Sequence, residues 1–450
     1  MTMMTHSSAI GEKIWATPFI DTHEHLIEES RRIAGPHPDD PFLPCDDWAY
    51  LFHHYTRDDL AVAGMEPDAS HSFFSMELSP QEKWELFAPY WPRIRHTGYG
   101  RAVLLTVQRL FNVEDIAANT VEQITQQMRH GVRKGFYQHI IRECANISLC
   151  QVQSLEHTFC KTEYPELLYQ DINTAPLSSD LNLPRLRRET GLPVTSLQGC
   201  YDAIHWYFEQ YGHQAVAIKN ASAYSRRLDY AAVPTAEAER LFTRYIADEN
   251  ALNAAELKAL QDHLWRYCVD KATEYQLPVK LHTGYYAGTW RMPLARVSMN
   301  LPDLCTVLQD YPDTNFVLMH IAYPYQDEMI AVAKQYPNVY VDLCWSWIIN
   351  PLATLRFVKE FLAAVPWNKL LTFGGDYYSV ETIVGHAEIA RYGLSQALGQ
   401  LVAEEWLTKG EALDLVEPLM WRNAWSLFRM EEKQAVARQL MSGGSSQLGR

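Results

Sequence analysis

Several kinds of chemistry are missing from these 450 residues. The eight cysteines, Cys45, Cys144, Cys150, Cys160, Cys200, Cys268, Cys305 and Cys344, never form a C-x-x-C pair, so neither a zinc ribbon nor a redox dithiol is encoded. Scattered core thiols in a reducing compartment fit such spacing. Positive charge is also scarce: 39 Lys and Arg stand against 54 Asp and Glu, a formal net charge of −15. That balance disfavours attraction to nucleic-acid backbones or anionic membranes. No apolar run reaches the ~18 residues of a membrane span. MTMMTHSSAIGEKIW lacks the basic and apolar regions of an export signal, so a cytoplasmic protein is expected. Phosphate-loop, dinucleotide-binding and G-x-S-x-G signatures are absent as well, which removes support for those mechanisms.

What remains is ample apolar material. Hydrophobic residues make up 47% of the chain and charged residues 21%, enough for a large core. Short runs rich in Val, Ile and Leu recur: ATPFIDTHEH, ANISLCQV, ELLYQDI, QAVAIKNA, LPVKLHTG, NFVLMHIA, NVYVDLCW and LLTFGGDY. Segments of helical period separate the clearest of them, at 251–276, 301–311 (with Asn300 as a cap) and 326–336. Eight alternating units predict an α/β fold, a closed (β/α)8 TIM barrel. More than a hundred residues separate the first two strands, too many for a loop. They include helix-like stretches at 98–111 and 121–144, so a mostly helical insertion over 40–143 is expected. One barrel spanning 1–430 would contain it, with a helix end and a flexible tail over 431–450.

Strand one ends Asp21-Thr22-His23-Glu24-His25, and strand alternation points His23 and His25 the same way, able to hold one cation. An isolated H-x-H carries little weight. Lys219, His282, His320 and Asp376 at four other strand ends change this, because barrel strands converge at that face. Imidazole and carboxylate suit zinc and comparable divalent ions, and three protein ligands leave an open catalytic position. Taken singly, each has a structural role open to it: satisfied histidines at His282 and His320, a helix cap at Asp376, a surface lysine at Lys219. Aromatic residues crowd these strand ends, including Tyr224, Tyr285, Tyr323, Trp345 and Tyr377. Packing is their default role, with one or two lining a substrate pocket. Arg226 is the candidate clamp for a substrate carboxylate, against an equally weighted salt bridge. His53, His54, His96 and Arg101 belong to the insertion.

DTHEH, AVAIKNASAYSRR, KLHTGYYAG, VLMHIAYPY and FGGDYYS together resemble the amidohydrolase superfamily, of amidohydrolase-2 type. Within it, the segments look most like the amidohydrolase domain fused to glutamine-synthetase-like proteins and its free-standing bacterial relatives. The resemblance runs from about residue 16 to about 430. It implies that His23, His25 and Asp376 bind the more buried metal and that Asp376 takes a proton from the attacking water. It implies that His282 and His320 hold a second metal or contact substrate, and that Lys219 bridges two metals once carbamylated. One or two divalent ions are implied, zinc first and manganese next. The expected activity is hydrolysis of a C–N amide, γ-glutamyl amides among them, or of a related lactone or ester of a small carboxylate-bearing molecule. A mononuclear decarboxylase, a sugar-acid isomerase similar to the uronate isomerases and a non-catalytic scaffold are the alternatives. A small-molecule substrate is the expected partner; a homo-oligomer is compatible with the sequence, and no stripe demonstrates one.

Overall fold

The computed structural model describes residues 8–38, 40–289 and 292–444. By internal contacts the chain divides into two compact units: Met1–Cys150 with Tyr286–Met292 and Leu343–Arg422, and Gln151–Tyr285 with Pro293–Asp342 and Asn423–Arg450.

Every predicted strand forms: β1 (Phe19–Glu24), β2 (Ile147–Val152), β3 (Leu168–Gln170), β4 (Ile172–Asn173), β5 (Ile218–Asn220), β6 (Val279–Leu281), β7 (Phe316–Met319), β8 (Val339–Asp342) and β9 (Leu370–Leu371). The run ELLYQDI yields two short strands, because Asp171 turns its N–H to the Val152 carbonyl, 2.9 Å away, and its carboxylate to Lys280. In the second unit β4 to β8 pair in parallel, with Asn173, Lys219 and Lys280 side by side in register. Their Val, Ile and Leu side chains are buried on both faces, as parallel strands covered by helices require.

The predicted helices form with small shifts. Ala254–Glu274 is set by a capping box in which Asn253 and Glu256 satisfy each other's backbone N–H groups. Asn300, expected as a cap, is instead the first residue of Asn300–Asp310, and its Oδ1 accepts from the Gly284 N–H at 2.9 Å. Gln326–Gln335 follows its prediction closely.

In the first unit the chain between β1 and β2 is helical, and no strand occurs among its described residues. Gly98–Leu110 matches expectation, whereas the helix expected over 121–144 stops at Gly131. Val132 leaves the helix in extended conformation, and Gly135, left-handed at φ +89°, turns the chain into the next helical segment at Phe136. This region has its own core: Trp48 packs edge to face on Phe52, Phe73 and Phe87 at centroid distances of 5.1–5.8 Å. Asp47 and Lys83 form a buried ion pair beside that core. No helix among the described residues is long and apolar enough to cross a membrane. The polar tail lies largely outside the described residues, as do residues 1–7 of the leading segment.

Candidate metal centre

The first unit builds its centre from the end of β1 and the loop after β9. Backbone bonds lock the two together: Thr22 N–H to Phe373 O, Asp376 N–H to His23 O and His25 N–H to Tyr377 O, all 2.9–3.0 Å. Asp376 itself sits at φ 66°, the left-handed region that Asp tolerates better than most residues, and this turns its carboxylate back onto the strand. Its Oδ1 lies 3.3 Å from His23 Nε2 and 3.2 Å from His25 Nε2. One donor atom from each of the three residues lies within 4.8 Å of the others.

These separations test whether the donors fit a metal. Metal–ligand bonds of ~2.0–2.1 Å in a tetrahedral arrangement place neighbouring donors ~3.3 Å apart. Both carboxylate–imidazole separations match it, and the donor chemistry of two imidazoles and a carboxylate suits a divalent transition ion. Burial pushes the Asp376 carboxyl up. The hydrogen bonds and positive charge of His23 and His25 outweigh it, holding the acid well below its ordinary value. Asp376 is therefore ionised at neutral pH, and it does not cap the following helix, whose N-cap is Thr382.

Two acids that sequence reasoning passed over hold this arrangement from behind. Glu24 is fully buried, and its Oε2 accepts from the Tyr377 N–H at 2.6 Å. Burial, then the neighbouring Asp21, raise Glu24 well above its ordinary value, the direction of a carboxyl that keeps its proton. Asp21 Oδ1 accepts from the His23 and Gly375 N–H groups. A Cβ at Gly375 would overlap Glu24 Oε1, which explains the second glycine of the GGDYY motif. The alternation of DTHEH carried this signal: Asp21 shares a face with His23 and His25.

The aromatic candidates of this unit are packed against other rings. Trp345 is fully buried and stacks on Tyr55 at 4.5 Å, and Tyr377 is 5% exposed with its ring edge towards His386. Of the insertion residues, His54 stacks on Tyr378 at 3.8 Å, whereas His96 lies on the surface.

In the second unit His282 and His320 come together, their ring centroids 4.4 Å apart, and Tyr224 packs on His282 at 4.5 Å. His282 Nε2 lies 2.9 Å from the Tyr285 carbonyl, and the Tyr285 ring meets Tyr323 at 6.4 Å. Gly284, at φ +80°, allows this turn to approach the Ala322–Tyr323 backbone more closely than any Cβ would permit. Lys219 is buried on β5 and is no surface lysine. Arg226 departs from the expected anion clamp. Its guanidinium pairs with buried Asp262, donates to Lys258 O and Gln261 Oε1, and lies 5.0 Å over the Tyr230 ring. That geometry uses its fork within the protein.

The comparisons accord with this construction. The amidohydrolase family model, Amidohydro_2, matches residues 193–430. The chain belongs to the amidohydrolase superfamily. Protein fluG of Emericella nidulans is 27% identical over 232 residues, a match covering 49% of this chain and 26% of that protein. The chain thus spans about a quarter of that curated relative. Among solved structures, glucuronate isomerase from Caulobacter crescentus aligns with a TM-score of 0.74 at 16% identity, covering 94% of this chain and 93% of the other. Uronate isomerase from Thermotoga maritima aligns with a TM-score of 0.73 at 16% identity, covering 93% and 96%. At such identity the likeness shows fold, and the fold is the expected α/β barrel. Members of this superfamily use divalent metals, and His23, His25 and Asp376 form a candidate donor set for one.

Proposed function

We propose that this chain is a metal-dependent hydrolase acting on a C–N amide, with γ-glutamyl amides the first class to test, or on a related lactone or ester of a small molecule. The observation that carries this reading is the convergence of His23 Nε2 and His25 Nε2 on Asp376 Oδ1 at 3.3 and 3.2 Å, the spacing of neighbouring ligands around one ion. Zinc is the proposed ion, with manganese next. A divalent cation supplies Lewis acidity for a carbonyl and brings the acidity of water towards neutral pH. His23 and His25 would hold that ion, and Asp376 would accept the proton that an attacking water releases. Asp21 and Glu24 fix the Gly375–Tyr377 backbone that carries Asp376. His282 and His320 are proposed to hold a second ion or contact substrate, and Lys219 to join a two-ion arrangement only as a carbamate, since a free ammonium repels cations. Carboxylate recognition by Arg226 is not part of the proposal.

A sugar-acid isomerase is the second reading, favoured by the two isomerases whose folds this chain shares along nearly its whole length. Elemental analysis of protein purified without chelator, followed by a panel of amides, lactones and uronates, separates the two. Hydrolysis requiring one or two ions supports the first, and interconversion of a uronate replaces it with the second. Asp376→Asn should lower metal affinity by tenfold or more and remove turnover while the far-ultraviolet circular dichroism stays unchanged. Full activity in that variant refutes the mechanism.

A further inference from the structure

Most of the first unit's centre is closed to solvent: Asp21, His23 and Glu24 are fully buried, and Asp376 and Tyr377 are 5% exposed. His25, His54 and Tyr378 are the half-buried members. Two of these belong to the centre's own segments. The third comes from the helical insertion, so the insertion reaches the partly exposed side of the centre.

His54 is held there in one orientation. Tyr55 stacks on its ring at 3.9 Å with planes 21° apart, and Tyr378 at 3.8 Å with planes 22° apart. Two rings cannot share one face at such distances, so both faces are covered and only the edge is left for a ligand. Tyr55 is itself anchored, 4% exposed and stacked on Trp345 and Tyr99. The edge bears one polar atom without use in the fold: His54 Nδ1 is shielded from solvent and has no hydrogen-bond partner among the described residues. Behind it His53, 8% exposed, faces Tyr378 at 6.4 Å and also has Nδ1 without a partner. Orphaned buried polar atoms cost about 1–3 kcal/mol each, so a fold retains them where a ligand or water completes them. Tyr378, which covers one face of His54, also lies 6.2 Å from the His25 ring, so His54 is one ring away from a candidate metal ligand.

We propose that His54 is a specificity-determining residue, through which the insertion recognises an uncharged hydrogen-bonding group of the substrate, a hydroxyl or a carboxamide, next to the metal centre. The inference rests on the metal-hydrolase reading above. An uncharged group is favoured because a carboxylate at this position would face the Asp376 carboxylate. Preorganisation between two rings makes the contact selective, since the edge cannot rotate to suit a different partner.

Three metal-binding probes differing in one substituent test it on zinc-reconstituted full-length protein by titration calorimetry. Acetohydroxamate carries a methyl group, glycolohydroxamate adds a hydroxyl to it, and succinic monohydroxamate adds a carboxylate on a longer arm. The parent should bind glycolohydroxamate at least tenfold tighter than acetohydroxamate. His54→Phe, which keeps the ring stack, should erase that preference while leaving zinc content and acetohydroxamate affinity within twofold. His54→Gln, which keeps hydrogen-bonding capacity, should restore part of it. Equal affinities in the parent, an unchanged preference in His54→Phe, tightest binding of the carboxylate probe, or zinc retention without binding of any hydroxamate would each overturn the assignment. A parent protein that retains no zinc refutes the metal-hydrolase reading itself, and this inference with it.

Discussion

Acidification from pH 7 to pH 5 should weaken the first unit through two histidines that the fold keeps neutral. Burial lowers His53 to about 4, with Arg57 lowering it further, and lowers His386 to about 3 despite the opposing pull of Asp376 and the Gly375 backbone. Both start from 6.5 in the unfolded chain. Their folded values are depressed, so below 6.5 the unfolded chain binds protons that the folded chain refuses. The stability is fully present above that point and is lost as pH falls towards the folded values. Each pH unit is worth about 1.4 kcal/mol per group, so each histidine costs about 2 kcal/mol at pH 5. Asp59 acts the other way: burial raises it to about 6, so its protonation favours the fold over part of the same range. A difference between proteins isolates the histidine from such groups. Urea unfolding of chelator-treated parent and His386→Phe at both pH values provides it. His386 is fully buried with Phe373 at 5.1 Å and Tyr377 at 5.8 Å, so phenylalanine meets an aromatic lining. The parent should lose about 2 kcal/mol more than the variant between pH 7 and pH 5. Equal losses would refute the claim that His386 is held neutral.

Three further outcomes follow from packing and charge. Gly375→Ala should destabilise by about 2–3 kcal/mol, because the added Cβ overlaps the Glu24 carboxylate and lies 2.8 Å from its Cδ; thermal unfolding checks it. Lys280→Met leaves the Asp171 carboxylate buried without the ammonium that lies 2.8 Å away, a loss of about 3–5 kcal/mol. Adding Asp171→Leu should recover much of that loss in a double-mutant cycle. Arg226→Ala should lower stability by about 2 kcal/mol or more through exposure of the Asp262 pairing to loss, while changing KM for any substrate found by less than twofold. A large KM increase at unchanged stability would return Arg226 to substrate binding.

Much of the architecture was legible because parallel strands buried on both faces must be continuous apolar runs, and each such run in this chain became a strand. Helix limits were legible where local chemistry decides them, as at Asn253 with Glu256. They were less so where a tertiary contact competed: Asn300 has the chemistry of a cap and gives its oxygen to Gly284 instead. The candidate ligands His23, His25 and Asp376 could be picked out because an H-x-H pair and an aspartate at another strand end are together a rarer coincidence than either alone. Arg226 could not be decided in that way. A guanidinium reads the same in sequence whether it meets a substrate or Asp262.

The sequence by itself determined which residue types stand at the strand ends and the α/β alternation that carries them there, since both follow from local periodicity. Tertiary structure alone decided the positive φ of Asp376 that turns its oxygen to 3.2–3.3 Å from two imidazoles, the proton-retaining environment of Glu24 and the clamping of His54 between two tyrosines. Each of these depends on segments far apart in the chain meeting at ångström precision. Burial and charge act through space, and no pattern along the chain records those distances.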